Sequence, residues 1–220
     1  MKKTLRTIKT ALLIIVVILC VNLISGKIEI DYFKNYQQIY INNILTHNNE
    51  SIYVYFYKVG CPYCKEVQNE VETYARSHSS FYFVNTDNQK DMFKKFDWIR
   101  FHTDNDIEIG KMNDQQEIEF YTNESQEKYM ESQEKDIYGK VKKYEIIEAD
   151  DDYIKLNQNA RKGYVYASLQ TPDINYYDMT SSDEMIIAGV PTLLYIENGK
   201  ITEFYFDSVE IETLLIELNK

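Results

Sequence analysis

Ile52-Tyr53-Val54-Tyr55-Phe56-Tyr57 and, three residues on, Cys61-Pro62-Tyr63-Cys64 carry the decisive signal in this chain. An unbroken run of β-branched and aromatic residues reads as a buried strand. After the tetrad, Lys65 to His78 sets Val67, Val71, Tyr74 and Ala75 on one helical face. Phe81-Tyr82-Phe83-Val84 is then a second strand, closing a βαβ unit whose crossover is a helix. A CxxC at the end of the first strand puts its first sulfur at a helix N-terminus, where free backbone N–H groups and the dipole favour a thiolate. Cys61 is therefore expected to attack disulfides, with Cys64 one turn further in as the resolving thiol. Pro62 suits the first helical turn, where its missing N–H costs nothing, and Tyr63 is a contact position.

The chain closes on a second block. Thr192 to Ile196 and Ile201 to Phe206 are apolar runs on either side of Asn198-Gly199, a strong hairpin pattern. Asp207 lies three residues before Glu210 in a capping-box pattern, and Ile211, Leu214, Leu215 and Leu218 give the terminal helix its apolar stripe. The order is βαβ, a long stretch, then ββα.

That order, with the tetrad after the first strand and Gly189-Val190-Pro191-Thr192 entering the third, resembles the thioredoxin superfamily over residues 50–87 and 181–220. The resemblance implies an α/β, thioredoxin-like fold, a mixed sheet flanked by helices, with 51–88 and 181–220 as its two halves. It also implies that Pro191 is cis and faces the tetrad, so that Val190 offers its backbone beside Cys61 to an extended substrate segment. Cys61 and Cys64 are then the catalytic pair, and Pro62, Tyr63, Val190 and Pro191 contact the substrate. Where thioredoxins carry a buried Asp in the first strand this chain has Tyr55, and where they carry a Lys in the next it has Phe83. A buried carboxylate helps deprotonate the second cysteine. Its replacement points away from a thioredoxin-type reductant and leaves the redox direction open. No cofactor is implied beyond the redox-active Cys61–Cys64 disulfide.

Lys2, Lys3, Arg6 and Lys9 precede an apolar run from Ala11 to Val21 that continues through Asn22, Leu23 and Ile24 to Ser25-Gly26. This is an export signal. Its exit lacks a small-x-small site, because Ile24 or Leu23 falls two before the last residue, so residues 1–27 read as a cytoplasmic tip and an uncleaved single-pass anchor. Residues 8–25 lie in the bilayer on this reading, and the positive-inside rule sends the rest out of the cytoplasm; cleavage would secrete the same domain. Cys20 follows Leu19 rather than the small residue of lipoprotein signals, and reads as apolar filler. Of three cysteines only Cys61 and Cys64 are then exported, to a compartment where disulfides are permitted. The 220 residues, 44% hydrophobic, suffice for one elaborated domain or two small ones. A net charge of −11 argues against a nucleic-acid surface, which needs clustered Lys and Arg.

Two further regions are read from periodicity. Tyr32, Phe33, Tyr36, Ile39, Tyr40 and Ile44 recur at helical spacing, so 28–50 is expected to hold a leading amphipathic helix over about 31–46. Residues 89–180 form an inserted α+β subdomain. Gln89 to His102 is expected as one helix with the lone Trp98 in the core; Ile107, Ile109, Ile118 and Phe120 flank a hairpin turn at Asn113-Asp114. Glu124 to Lys128 repeats as Glu131 to Lys135, which suits an exposed, charge-laced helix. Val141–Ile147, Tyr153–Leu156 and Tyr164–Leu169 are expected as three short strands, with Asp150-Asp151-Asp152 as a solvated hairpin turn, since the spacing of a calcium loop is missing. His47, His78 and His102 fall on separate elements, so no metal site is expected.

Two functions remain open from sequence. One is an extracytoplasmic, membrane-tethered thiol–disulfide oxidoreductase that exchanges with protein thiols and disulfides outside the cytoplasm or with a redox partner in the membrane. The other is a binding or assembly module of the same fold, with a static disulfide and its work done by the insertion.

Overall fold

A computed structural model describes residues 29–47 and 50–220. The expected membrane segment, Cys20 included, lies outside the described residues. Among the described residues no helix is long and apolar enough to cross a membrane.

Strand β1 (Ser51–Tyr57) runs into the short helix α1 (Pro62–Glu66), which breaks at Val67 and continues as α2 (Gln68–Ser77) before β2 (Phe81–Asn85). β1 and β2 are parallel, with Tyr55 beside Phe83. Alternation along β1 feeds two cores. Ile52, Val54 and Phe56 point into one, and Tyr55 and Tyr57 into the other with Cys64, Val67 and Val71.

The middle of the chain supplies β3 (Lys94–Lys95), α3 (Trp98–Asn105), β4 (Ile107–Met112), β5 (Ile118–Phe120), α4 (Gln126–Met130), β6 (Tyr144–Glu148), α5 (Tyr153–Leu156) and β7 (Tyr164–Leu169). Four of these strands form a sheet in the order β5-β4-β7-β6. The last part adds β8 (Ile186–Ile187), β9 (Thr192–Glu197), β10 (Lys200–Phe206) and α6 (Ser208–Leu218). The principal sheet has the order β10-β9-β1-β2, with β9 antiparallel to both neighbours. The protein is thus mixed α/β.

The terminal block follows its sequence signals closely. Asn198 and Gly199 both have positive φ, as a two-residue hairpin turn requires. The Asp207 carboxylate accepts the Glu210 N–H at 2.9 Å, while Glu210 reaches back to the N–H of Phe206 rather than to that of Asp207. Ile211 and Leu215 are buried against the face that holds Cys64.

Four expectations need correction. Only Ile41–Thr46 of the leading segment is helical, and it is a 3-10 helix. Upstream of it the chain runs beside β2, where Phe83 donates to Gln37 and accepts from Ile39, both at 2.9 Å. The apolar residues here serve two cores: Phe33 packs with Tyr55 and Phe83, and Ile39, Ile41 and Ile44 go to the opposite face. One helix face cannot do both, and the open edge of β2 needs backbone partners. Second, 89–102 is not one helix. Lys94–Lys95 pairs in parallel with β8, and α3 begins where Asp97 caps the Arg100 N–H. Trp98 is half-buried rather than a core residue.

Third, the repeated pentapeptide yields helix only in its first copy; in the second, Ser132 takes the Glu134 N–H and the chain turns toward the Lys135–Val141 bridge. Fourth, Tyr153–Leu156 is a helical turn instead of a strand, because the Asp150 carboxylate accepts from both Asp152 and Tyr153 at its start. The inserted sheet occupies 107–169, whereas Ile174, Tyr176 and Met179 are buried with Val54 and Leu194 in the core of the principal sheet.

Candidate active site

β1 ends at Tyr57, and the turn through Gly60, at φ +76°, delivers Cys61 to the N-cap of α1. Cys61 has extended backbone geometry, so its sulfur accepts the Cys64 N–H at 3.1 Å. Pro62 is the first helical residue. Cys61 is half-buried and Cys64 buried, and both thiols are free. Tyr63 points outward, 60% exposed.

From the other half of the sheet, the Val190-Pro191 peptide bond is cis, and the Val190 carbonyl accepts from the Cys61 thiol at 3.5 Å. All six residues singled out from sequence, Cys61, Pro62, Tyr63, Cys64, Val190 and Pro191, therefore meet at one end of the principal sheet.

The electrostatics separate the two thiols. The Cys61 pKa is lowered to about 7, first by the Cys64 thiol, which donates toward its sulfur, then by the backbone N–H groups of Cys64 and Tyr63 and by the nearby Lys58 charge. Burial of Cys61 opposes these without cancelling them. Cys64 is pushed far up, because it is the donor of that shared proton and is desolvated. Thus one sulfur is ionised near neutrality while the other stays protonated.

Beneath them, Tyr55 is fully buried, and desolvation with the adjacent Cys64 and Cys61 holds its phenol well above the usual range. Its hydroxyl neighbours Cys64 but meets hydrogen-bond geometry with no protein atom among the described residues.

Two cavities flank the pair. One, of about 360 Å³, runs along the cis-proline and is lined by Tyr63, Trp98, Val190, Pro191, Phe204 and Phe206. Trp98 donates its indole N–H to the Ala188 carbonyl at 2.8 Å. Lys143 forms the polar edge, ion-paired with Asp207 and, at 3.4 Å, with Glu210. The other cavity, of about 340 Å³, lies between Cys61, Cys64 and the leading segment Glu29–Phe33. Asp31 fastens that segment by accepting from Phe33 N–H at 3.0 Å and from the Tyr57 hydroxyl at 3.3 Å. Burial, and after it the charge of Asp31, lifts the Tyr57 phenol to about 12.

Sequence reasoning missed Trp98 as a wall of the site and the whole Glu29–Phe33 flank. Neither carries a local pattern; both reach the cysteines only through tertiary packing. The three histidines lie apart, His47 by Glu50, His78 stacked on Tyr74 and His102 by Asp106. Among the described residues no cluster of His, Cys, Asp and Glu is arranged to hold a metal ion. No protein-family model matches the chain, and comparison with curated proteins finds no match.

Proposed function

We propose that the protein is a thiol–disulfide oxidoreductase of thioredoxin-like fold, tethered outside the cytoplasm by its N-terminal segment and acting on protein thiols and disulfides. One observation carries the reading: the Cys61 sulfur, its pKa near 7, stands at 3.5 Å from the carbonyl oxygen that precedes a cis-proline, with a protonated Cys64 behind it. The strand order β10-β9-β1-β2, parallel only between β1 and β2, supports the thioredoxin-like fold.

In the exchange, the Cys61 thiolate attacks one sulfur of a partner disulfide, forming a mixed disulfide and expelling the other partner sulfur as thiolate. Cys64 then attacks the Cys61 sulfur. The Cys61–Cys64 disulfide forms, the partner's second sulfur leaves, and the Cys64 proton goes to a departing thiolate. Run backwards, the same steps donate a disulfide. An extended partner segment pairs with the backbone at Val190, and its side chains enter the cavity walled by Trp98 and Phe206.

Trapping tests this directly. A Cys64→Ser variant in its native envelope is expected to accumulate mixed disulfides through Cys61, because the resolving sulfur is gone. If no adducts form, and the wild-type disulfide resists reduction as a structural one does, the cysteines are a static link and the oxidoreductase reading fails.

A further inference from the structure

We infer that the inserted region selects the partner by a residue beside its reacting cysteine, and that this residue is a large, uncharged aromatic one. The inference deepens the oxidoreductase reading above and rests on it. It starts from the cavity of about 360 Å³ beside the cis-proline. Neither Cys61 nor Cys64 lines this cavity, whereas Tyr63, Val190 and Pro191 do. It therefore holds a neighbour of the reacting cysteine and not the cysteine itself. Small-molecule sites span roughly 300–1,000 Å³, and a volume at the low end of that range suits one large side chain rather than a stretch of chain.

Two distant parts of the chain build it. The principal sheet supplies Phe204 and Phe206 of β10, and the inserted region supplies Trp98, Lys140 and Lys143. Three contacts lock these parts together. Trp98 donates to the Ala188 carbonyl at 2.8 Å, Lys143 pairs with Asp207, and Lys140 donates to the Phe204 carbonyl with its ammonium 4.6 Å from the centre of the Phe204 ring. The cavity is thus walled before a partner arrives, so filling it costs little ordering of the protein.

Its chemistry names the occupant. The rings of Trp98 and Phe206 stand 6.4 Å apart between centroids, tilted by 41°, and Phe204 adds a third aromatic wall. An incoming ring gains contacts with these faces beyond the area it buries, which an aliphatic side chain forfeits. The rim is charged but balanced. Lys140 lies 3.8 Å from Glu210, and Lys143 pairs with Asp207 and lies 3.4 Å from Glu210. Two ammonium groups already meet two carboxylates, so a charged side chain entering here would lose hydration and find no free opposite charge. An uncharged ring avoids that loss.

The test uses the full chain with Cys20→Ser, reduced and in detergent, against symmetric disulfides of a short glycine peptide with one central cysteine. Each position flanking the cysteine carries Phe, Leu, Glu or Lys in turn, and high salt screens the protein's net charge of −11. Release of peptide thiol is followed after acid quench. With Phe at its best position the rate should exceed that of the glycine peptide about tenfold, Leu should fall between them, and Glu and Lys should gain nothing. Trp98→Ala should remove the Phe advantage and Trp98→Phe should keep most of it. The alkylation rate of Cys61 should be the same in all three proteins.

Rates alike for every peptide overturn the selection while leaving the oxidoreductase reading standing. So do Leu matching Phe, a Glu or Lys peptide outrunning it, or a Phe advantage that survives Trp98→Ala. No release from any peptide, the glycine one included, sinks the oxidoreductase reading and the selection with it.

Discussion

The indole N–H of Trp98 is bonded to the carbonyl of Ala188 at 2.8 Å, which ties the first helix of the inserted region to the segment entering the cis-proline. The ring also packs edge-on to Phe96 and Phe101 and walls the cavity beside Val190. Trp98→Ala should therefore lower exchange with protein substrates about tenfold, the equivalent of one lost contact of roughly 1.4 kcal/mol. The rate with a small aromatic disulfide reagent should be unchanged, since that reagent needs only Cys61. Trp98→Phe separates the effects, keeping most of the wall and losing the hydrogen bond. Equal losses with both kinds of substrate would place Trp98 in the support of Cys61 itself.

Thiolate titration gives a second check. In the reduced protein, absorbance at the thiolate band or the alkylation rate of Cys61 should rise with a midpoint of about 7. Cys64→Ala removes the largest cause of the depression and should move that midpoint toward an ordinary thiol. The linkage sign follows from the lowered value. The Cys61 thiolate stabilises the folded dithiol fully above the unfolded thiol's pKa, and that contribution is lost as pH falls through about 7. Acid unfolding of the dithiol form should thus show a component there that Cys61→Ser lacks.

How much of this was legible depends on the range of the interactions. The βαβ and ββα blocks were readable because unbroken runs of β-branched and aromatic residues, the Asn198-Gly199 turn and the Asp207 cap are local codes. That Cys61, Pro62, Tyr63, Cys64, Val190 and Pro191 come together was readable because the tetrad and Val190-Pro191 sit within those blocks. Local reading failed where tertiary demands compete. Phe33 and Ile39 have helical spacing but serve opposite faces of the sheet, and Trp98 has the composition of a core residue but packs at a cavity rim. The repeated pentapeptide failed for a third reason: the residue that follows the first copy, Tyr129, is buried and anchors its helix, whereas the residue that follows the second is Asp136.

The inserted sheet hangs on one buried carboxylate. Asp106, whose side chain is fully buried, accepts from the Tyr153 hydroxyl at 2.5 Å, the Leu169 N–H at 2.8 Å and the Ser168 hydroxyl at 3.1 Å, with the His102 ring at 3.2 Å. Asp106→Ala leaves several buried donors without an acceptor and should cost about 3–5 kcal/mol in denaturant unfolding. Asp106→Asn keeps the size but turns one acceptor into a donor facing donors, so it should recover only part of that loss. A loss under about 1 kcal/mol for the alanine variant would show that the network does not hold the insertion in place.

Tyr55 sits where a charged group would change the redox pair, and its hydroxyl makes the sharpest case. It is buried beside Cys64 without a partner that meets hydrogen-bond geometry. A buried, unsatisfied hydroxyl is a stability cost, so Tyr55→Phe should stabilise the dithiol form by about 1 kcal/mol in denaturant unfolding. In the exchange proposed above, however, Cys64 is the attacking sulfur of the second step, and the phenol, held protonated by its burial, is a nearby donor for a developing thiolate. The same variant should then prolong the Cys61 mixed disulfide several-fold while leaving the first attack by Cys61 unchanged, a difference that stopped-flow traces of the two phases would resolve. If Tyr55→Phe instead destabilises the protein and leaves the second phase untouched, the hydroxyl is a structural anchor and Cys64 resolves without it.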